Sequence, residues 1–270
     1  MRKTILIITL LYAAIGCKKA DQPTNPSSEQ AYDVVLVVGQ SNTMAGIAFD
    51  AELDTIDARI LQLGRWKSDD YELLLAQDPL QHHDQRTNTI GFAMTFARLY
   101  ANQLLPLSNK MILIPCGKGA TGFRGSDWNR GDELYNDALK RLRYVLDRYA
   151  NARLKVILWH QGEDDEGFAD YQSRLDSFIS QYRMDVNSKE TPFILGGMVP
   201  YWVEQDSDRI EINTIIEDGP NRMDRVGYAD PLKPFLIEKP DNTFDEIHFD
   251  AQGQREMGRR YFDEYNELTK

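Results

Sequence analysis

The sequence predicts an α/β fold built on a mostly parallel sheet, and two observations lead to that prediction. Four short apolar runs rich in Val, Ile and Leu are separated by segments with helical periodicity, and each run is continuous rather than alternating. Continuous apolar runs are typical of strands that are covered on both faces, as in a parallel sheet between layers of helices. Strands of this kind in alternation with helices indicate the α/β class.

The predicted elements can be placed along the chain from these patterns. The four strands, a weaker fifth strand and a short extended piece cover residues 34–38, 111–115, 156–159, 193–195, 59–63 and 234–237. Apolar residues at three- and four-residue spacing predict helices over residues 92–105, 133–149, 171–182 and 252–265. Two long stretches, residues 67–89 and 204–243, are polar and irregular. Long loops of this kind often carry a binding site.

Composition favours a single globular domain and excludes some partners. The chain has 270 residues, of which 42% are hydrophobic and 27% charged, and its formal net charge is −11. A chain of this length buries about three quarters of its unfolded surface, so its core requires no disulfide. The negative charge argues against nucleic acid as a partner, because nucleic-acid binding needs basic patches.

A signal-like segment precedes the predicted domain. Arg2 and Lys3 come before an apolar run, residues 5–15, that is too short to span a bilayer and ends in Ala14-Ile15-Gly16-Cys17. This ending resembles a bacterial lipobox, in which the cysteine is lipidated. We therefore expect a lipoprotein signal peptide at 1–17, a flexible tether at 18–31 and one domain at 32–270, anchored by lipid on the periplasmic or outer-membrane surface of a bacterial cell envelope. The alternative is an ordinary cleaved signal with a cysteine nearby by chance.

The second cysteine has no predicted disulfide partner. The chain contains two cysteines, so lipidation of Cys17 would leave Cys116 alone. Cys116 directly follows a predicted strand. A buried, inert thiol is the commoner case at such a position, and we expect no catalytic role for Cys116.

Polar residues follow the predicted strands where ligands collect in α/β proteins. In an open sheet of this class, ligands bind outside the carboxyl ends of the strands. Four segments stand out there or just before the last helix, and they read Gly39-Gln40-Ser41-Asn42, Cys116-Gly117-Lys118-Gly119-Ala120-Thr121, His160-Gln161-Gly162-Glu163 and Asp245-Glu246-Ile247-His248-Phe249.

Ser41 is the candidate nucleophile among these residues. A serine on a tight turn after a strand can expose its hydroxyl beside backbone N–H groups, although a helix N-cap is an equally good interpretation of Ser41 alone. Thr43 also stands where the G-x-S-x-G elbow has its second glycine. His248 strengthens the assignment, because a carboxylate three residues earlier, Asp245, can reach its Nδ1 while Nε2 faces a serine. The alternative is that Asp245 caps the last helix.

The segments together resemble a known superfamily. Gly39-Gln40-Ser41-Asn42, Trp159-His160-Gln161-Gly162-Glu163-Asp164 and Asp245-x-x-His248-Phe249 are similar to the successive blocks of SGNH hydrolases, in the branch of sialate O-acetylesterases and acetylxylan esterases of carbohydrate esterase family 6. The resemblance runs from about Asp33 to the end of the last helix. It implies a flavodoxin-like three-layer α/β/α sandwich with a mostly parallel five-stranded sheet. It also implies that Ser41, Asp245 and His248 form a catalytic triad.

The same resemblance implies an oxyanion hole. The backbone N–H groups of Ser41 and Gly119 and the side-chain amide of Gln161 would donate to the oxyanion. This branch usually has Gly-Gly-Thr where the chain has Gly119-Ala120-Thr121, so Gly117 stays open as an alternative to Gly119. Gln161 could instead bond to the backbone of a neighbouring loop.

Three more residues of these blocks are candidates for substrate contact or structural support, namely Gln40, Asn42 and Glu163. For Glu163 we favour the structural role. No metal is expected, because His82 and His83 are adjacent and His160 with Glu163 lacks the H-E-x-x-H spacing of zinc proteases. The chemistry implied by the resemblance needs no cofactor.

The expected function is therefore a serine esterase that removes O-acetyl groups from a carbohydrate, either sialic acid or a xylan-type glycan, through an acyl-enzyme intermediate. Two alternatives stay open: an esterase or lipase acting on simple or lipid esters, and a non-catalytic glycan-binding lipoprotein. Four aromatic residues in or beside the long loops are expected either to stack on sugar rings or to pack at the domain edge, and these are Trp66, Trp128, Tyr201 and Trp202.

Overall fold

The apolar runs form strands in the computed structural model, which describes residues 30–239 and 245–270. The first half of the chain forms β1 (Tyr32–Gly39), β2 (Gly46–Ile47), β3 (Ile60–Leu63), β4 (Leu73–Leu75), β5 (Thr89–Ile90), α1 (Phe92–Gln103) and β6 (Lys110–Pro115). The second half forms α2 (Glu133–Arg148), β7 (Ala152–His160), α3 (Tyr171–Asp185), β8 (Phe193–Gly196), α4 (Pro200–Val203), α5 (Ser207–Glu217), α6 (Gly219–Arg222), β9 (Val226–Ala229) and α7 (Ala251–Thr269).

The expected signal peptide, the expected lipidation site Cys17 and nearly all of the expected tether lie outside the described residues. Within residues 30–239 and 245–270, no helix is both long enough and apolar enough to cross a membrane.

β1 lies at the centre of a seven-stranded sheet with the order β4-β3-β6-β1-β7-β8-β9, while β2 and β5 form a separate pair. All neighbouring strands of the large sheet are parallel except β3 and β4. The chain first builds the sheet on the β6 side of β1 and then on the β7 side. The carboxyl end of β1 therefore lies where the winding changes direction, which is where α/β sheets open a ligand crevice.

Helices cover both faces of the sheet, which confirms the predicted α/β class and its three-layer arrangement. α1 and α7 pack together on one face, where the rings of Phe92 and Tyr261 stack with centroids 4.2 Å apart. α2 and α3 share the other face, where Phe178 contacts Tyr135 and lies 4.5 Å from the ring of Trp159 on β7. Residues 34–38 of β1 are fully buried between these layers, as continuous apolar strands should be.

The predicted number of five strands is wrong, because β4 and β9 extend the sheet at its two edges. Both are short: β4 has three residues, none of them buried, and the four buried residues of β9, Val-Gly-Tyr-Ala, include no run of Val, Ile or Leu. β9 follows α5 and α6 inside the stretch that the sequence suggested was irregular. α5 was missed because it buries only Ile212 and Ile216, which leaves little helical periodicity. Residues 234–237 form no strand.

The four predicted helices are confirmed, with small changes at their ends. α1 and α2 end one or two residues earlier than predicted, α3 ends three residues later at Asp185, and α7 runs on to Thr269. α7 begins after Asp250, whose Oδ1 accepts the N–H of Gly253 at 2.7 Å. Asp250 is therefore the helix cap, and the alternative interpretation of Asp245 as the cap is wrong.

Candidate active site

Three side chains from opposite ends of the sequence meet at the carboxyl end of β1. Ser41 lies in a single 3₁₀ turn, Ser41–Thr43, that directly follows the strand. Its Oγ lies 2.7 Å from Nε2 of His248, and Nδ1 of His248 lies 2.6 Å from Oδ2 of Asp245. The structure thus brings together the three residues that the sequence suggested as nucleophile, base and orienting carboxylate, although 207 positions separate Ser41 from His248.

The charge on Asp245 determines which atoms carry the hydrogens of these two hydrogen bonds. Burial raises the pKa of Asp245, but the hydrogen bond and charge of His248, its backbone N–H and the charge of Lys239 together lower the pKa below its usual value. An ionised carboxylate only accepts, so Nδ1 of His248 carries the hydrogen and donates it. In the neutral imidazole the lone pair is then on Nε2, and it faces the hydroxyl of Ser41, which donates to it.

The three-residue spacing between Asp245 and His248 lets one carboxylate bond to both the backbone and the ring of His248. Oδ1 of Asp245 accepts the backbone N–H groups of Ile247 at 3.2 Å and His248 at 3.1 Å, which closes a tight turn. The other carboxylate oxygen is left to accept from the imidazole of the same His248. One side chain therefore fixes both the backbone and the ring of His248.

Lys239 is a site residue that the sequence analysis missed. Its Nζ donates to the carbonyl oxygen of His248 at 2.5 Å and lies 3.7 Å from Oδ1 of Asp245. Only 6% of the side chain is exposed, and burial lowers the pKa of its ammonium group, against the opposing effect of Asp245. A lysine in a polar segment resembles any solvated lysine, so no sequence signal marked Lys239.

Gln40 and Asn42, on either side of the nucleophile, are buried and face the protein rather than the substrate space. The Oε1 of Gln40 accepts the N–H of Asp164 at 3.2 Å. The side chain of Asn42 donates to Glu163 and to the carbonyl of Ile247, and accepts the N–H of Phe249. Glu163 is also buried. The structure therefore favours support over substrate contact for all three residues.

Gly119 lies beside the nucleophile, and the N–H groups of Gly117 and Gly119 both have acceptors within the protein. The N–H of Gly117 is used inside the protein, where it donates to Nδ1 of His82 at 2.9 Å. A Cβ placed on Gly119 would lie 3.7 Å from the Cβ of Ser41. The N–H of Gly119 donates to Oδ2 of Asp84 at 2.9 Å. A carboxylate thus occupies the donor that the resemblance assigns to an oxyanion.

Gln161 differs from its expected role as an oxyanion donor. Its side chain has no exposed surface, and Nε2 donates to Oδ2 of Asp165 at 2.8 Å and to the carbonyl of Thr121 at 3.4 Å. Both amide hydrogens are therefore used within the protein. Asp165 also accepts the backbone N–H groups of Phe123 and Arg124, so Gln161 belongs to the support of the segment around Gly119. The bond to the carbonyl of Thr121 matches the alternative that the sequence left open, a bond to neighbouring loop backbone, whereas the shorter bond is to a carboxylate.

Cys116 and the histidines outside the site behave as structural residues. Cys116 is buried, and burial raises the pKa of its thiol to about 11, which leaves it protonated at neutral pH. Cys116 is thus buried, as expected. Among residues 30–239 and 245–270, no group of three or more His, Cys, Asp or Glu side chains has an arrangement that could hold a metal ion.

Two of the four aromatic residues suggested for sugar stacking are in the protein interior. Trp128 is fully buried and packs edge-on against Trp159, and Trp202 is buried with the guanidinium of Arg209 over its ring. The stacking expectation is wrong for these two, because neither ring has a free face. Tyr201 is exposed, which keeps it available to a ligand. Trp66 is half-buried and donates from Nε1 to the carbonyl of His82.

Comparison with known proteins identifies the family of this chain. Residues 31–267 match the sequence model of the family described as carbohydrate esterase, sialic acid-specific acetylesterase. The chain belongs to this family. The resemblance suggested by the three sequence blocks is thereby confirmed.

Individual relatives agree with the family. The chain is 26% identical over 229 residues to a probable 9-O-acetyl-N-acetylneuraminic acid deacetylase of Escherichia coli strain K12, over 66% of this chain and 70% of that protein. It is 32% identical over 126 residues to a probable carbohydrate esterase of Arabidopsis thaliana. That second alignment covers 44% of this chain and spans less than half of the Arabidopsis protein, 46%.

Solved structures share the fold. The crystal structure of NanS superposes with a TM-score of 0.75 at 17% identity and covers 88% of this chain and 98% of its own. An Arabidopsis thaliana protein superposes with a TM-score of 0.70 at 21% identity, over 87% of this chain and 98% of its own. At these identities the similarity shows the fold alone.

The contact between Lys239 and Asp245 can be tested by titration. Lys239→Met removes a cation beside the carboxylate, so we expect the pKa of Asp245 to rise towards its usual value. Ionised Asp245 stabilises the fold above the ordinary pKa of an aspartate, and this stabilisation is lost as pH falls through the lower folded pKa. In Lys239→Met the folded-state pKa lies closer to the unfolded-state pKa, so the total loss should be smaller and should be complete at a higher pH.

Carbon-13 NMR of the aspartate carboxyl groups measures this shift. Lys233→Met is the matched control, because the Lys233 side chain is 79% exposed and pairs with Asp230 at 3.5 Å. The control should leave the titration of Asp245 unchanged. An unchanged titration of Asp245 in Lys239→Met would contradict the charge contact.

Proposed function

We propose that this protein is a serine esterase that removes O-acetyl groups from a carbohydrate, with O-acetylated sialic acid as the substrate. The observation that carries the proposal is the hydrogen-bonded series Ser41, His248 and Asp245 at the carboxyl end of β1. Membership of a carbohydrate esterase family supports acetyl-ester hydrolysis on a sugar. Similarity to the probable 9-O-acetyl-N-acetylneuraminic acid deacetylase supports sialic acid over xylan as the sugar.

In the first half of the proposed reaction, Oγ of Ser41 attacks the acetyl carbonyl carbon. Nε2 of His248 takes the hydroxyl proton as the new C–O bond forms, and ionised Asp245 stabilises the resulting imidazolium. When the tetrahedral intermediate collapses, the bond to the sugar oxygen breaks. His248 then returns the proton to that oxygen, so the sugar leaves as an alcohol and the acetyl group stays on Ser41.

In the second half, water takes the place of the sugar. His248 removes a proton from the water, whose oxygen attacks the acetyl-enzyme carbonyl. Collapse of this second intermediate breaks the bond to Oγ of Ser41, and His248 returns the proton to that oxygen. The products are acetate and the free enzyme, and the cycle consumes one water.

The proposed oxyanion donors are the backbone N–H groups of Ser41 and Gly119. Backbone donors held in place at the developing negative charge lower the barrier without reorganising. Because the N–H of Gly119 is bonded to Asp84 in this structure, the substrate oxygen must displace that carboxylate before it can bind there. Asp84 is partly exposed and lies 3.8 Å from Arg86, so it has another partner beside it.

Hydrolysis of p-nitrophenyl acetate tests the role of Ser41. We expect the purified protein to release p-nitrophenol and Ser41→Ala to lower kcat by at least about a thousandfold, because the attacking oxygen is lost. A fluorophosphonate probe should label the wild-type protein at Ser41. Ser173→Ala, which changes an exposed serine on α3, is the matched control and should keep full activity. Activity retained in Ser41→Ala, or labelling of another residue, would refute the assignment.

Acetate release from natural esters tests the sugar. The proposal predicts faster release, at equal acetyl concentration, from 9-O-acetyl-N-acetylneuraminic acid than from acetylated xylan, measured by an enzyme-coupled acetate assay. Faster release from acetylated xylan would support the esterase activity but contradict sialic acid as the substrate. Release from p-nitrophenyl esters alone would instead favour an esterase for simple or lipid esters.

The proposal also includes a lipid anchor on Cys17 and a location in a bacterial cell envelope, supported by the basic and apolar leader that ends in Ala14-Ile15-Gly16-Cys17. In cells that process lipoproteins, Cys17→Ala should abolish incorporation of labelled fatty acid into the protein. Cys116→Ala, the other cysteine of the chain, should leave incorporation intact. Labelling that persists in Cys17→Ala would contradict the anchor.

A further inference from the structure

The segment that carries His248 is held from the inside by a single buried amide. His248 lies between β9 and α7, outside any helix or strand. Nδ2 of Asn42 donates to the carbonyl of Ile247 at 3.0 Å, and Oδ1 of Asn42 accepts the N–H of Phe249 at 3.0 Å. These contacts fall on the residues immediately before and after His248. The amide of Asn42 therefore fixes the backbone on both sides of the base.

Glu163 determines which way this amide faces. Its Oε1 accepts from Nδ2 of Asn42 at 2.6 Å, a length typical of a hydrogen bond to a charged acceptor. The two ends of a primary amide differ, because the nitrogen donates and the oxygen accepts. An acceptor at Glu163 selects the orientation in which Nδ2 faces the carboxylate and Oδ1 faces the N–H of Phe249. In the opposite orientation both contacts would be lost.

Glu163 is itself fixed and ionised within the core. Nε2 of His160 lies 3.3 Å from the same Oε1, and Nδ1 of His160 lies 3.2 Å from the hydroxyl oxygen of Tyr261. Tyr261 donates its hydroxyl hydrogen to the carbonyl of Trp159 at 2.7 Å. Burial raises the pKa of Glu163, but His160 and Asn42 lower it further, to below its usual value.

We infer that Asn42 and Glu163 are positioning residues for His248, and that they set the alignment of its Nε2 with Oγ of Ser41. The inference rests on the proposed function, because the alignment matters only if His248 acts as the base. Asn42 is fully buried and Glu163 is only 4% exposed, so neither side chain is open to substrate.

Asn42 can affect the alignment of Ser41 with His248 directly, because it is the next residue in the chain after Ser41. Asn42 follows Ser41 in the same 3₁₀ turn, so the turn that presents the nucleophile also holds the segment that carries the base. Gln254 of α7 strengthens the link, because its Nε2 donates to the backbone carbonyl of Asn42 at 2.9 Å. A displacement of about 1 Å in such a geometry is enough to slow the reaction on the order of a hundredfold. Substrate binding, which uses other surfaces, should change little.

The test compares steady-state kinetics of p-nitrophenyl acetate hydrolysis in three variants. Asn42→Asp keeps the shape of the side chain but has at most one hydrogen to donate, so it cannot serve both Glu163 and the carbonyl of Ile247, and we expect kcat to fall on the order of a hundredfold with KM within about twofold. The kcat of Glu163→Ala should fall by a similar factor. Glu163→Gln keeps an acceptor oxygen and most of the side-chain volume. Its kcat should therefore be at least about tenfold higher than that of Glu163→Ala. The rate of fluorophosphonate labelling at Ser41 should follow kcat in each variant.

Tyr100→Phe is the matched control for lost stability. The hydroxyl of Tyr100 donates to Oδ2 of Asp33 at 2.6 Å, a buried hydrogen bond of the same length at the opposite end of β1 from Ser41. This variant should lower the melting temperature and leave kcat unchanged. If Asn42→Asp does not fold, Glu163→Gln and Glu163→Ala still provide the comparison.

Three outcomes would overturn the inference. Wild-type kcat in the folded Asn42 and Glu163 variants would show that the buried contacts serve stability alone. A rise in KM at unchanged kcat would show that these residues act on substrate binding. A wild-type protein without Ser41-dependent hydrolysis would refute the proposed function as well, and the comparison of wild type with Ser41→Ala shows this failure before any Asn42 or Glu163 variant is made.

Discussion

The hydrogen bond between Oγ of Ser41 and Nε2 of His248 is the constraint on which the rest of the site depends. It joins the end of the first strand to the segment before the last helix, across 207 positions of sequence. A bond of this kind requires both backbones to be fixed to within a fraction of an ångström, because a hydrogen bond weakens steeply with distance and angle. The sheet supplies one end: β1 lies between β6 and β7, and the residues of its centre are fully buried. The other end has no strand or helix of its own and is held by side chains.

Those side chains act from both sides of the segment. On the inner side, Asn42 bonds to the backbone before and after His248, and Glu163 orients Asn42. At the segment itself, Asp245 bonds to its backbone and ring, while the ammonium of Lys239 bonds to the carbonyl of His248. Glu163 and Lys239 are charged and buried, and such groups are costly to misplace because an unpaired partner would lose its solvation without compensation. The irregular backbone around His248 is thus fixed by polar contacts where apolar packing alone would leave it free to shift.

Close packing of backbone explains the glycine that joins β1 to the nucleophile. Gly39 has φ of +123°, and a Cβ at this position would lie 2.0 Å from the carbonyl oxygen of His160. The end of β1 therefore approaches the end of β7 more closely than any side chain allows. This approach brings the turn with Ser41 next to the segment that carries Glu163, and Gln40 donates its N–H to the same carbonyl of His160 at 2.8 Å. The nucleophile and the residues that support it are consequently parts of one rigid end of the sheet.

The sequence by itself determined the fold class, the central strands, the four main helices and the residues of the Ser41, His248 and Asp245 series. The fold elements follow from local patterns, namely continuous apolar runs and helical spacing. The site residues were suggested by the three-residue spacing of Asp245 and His248 together with the resemblance of three sequence blocks to a known superfamily. The tertiary structure alone decided the edge strands β4 and β9, whose pairing depends on what lies beside them. It also decided that Gln161 bonds to Asp165, that Asp84 holds the N–H of Gly119, and that Lys239 and Asn42 support the base. These contacts join residues far apart in the chain, and a polar side chain in a loop has the same local sequence whether its partner is water or a buried backbone group.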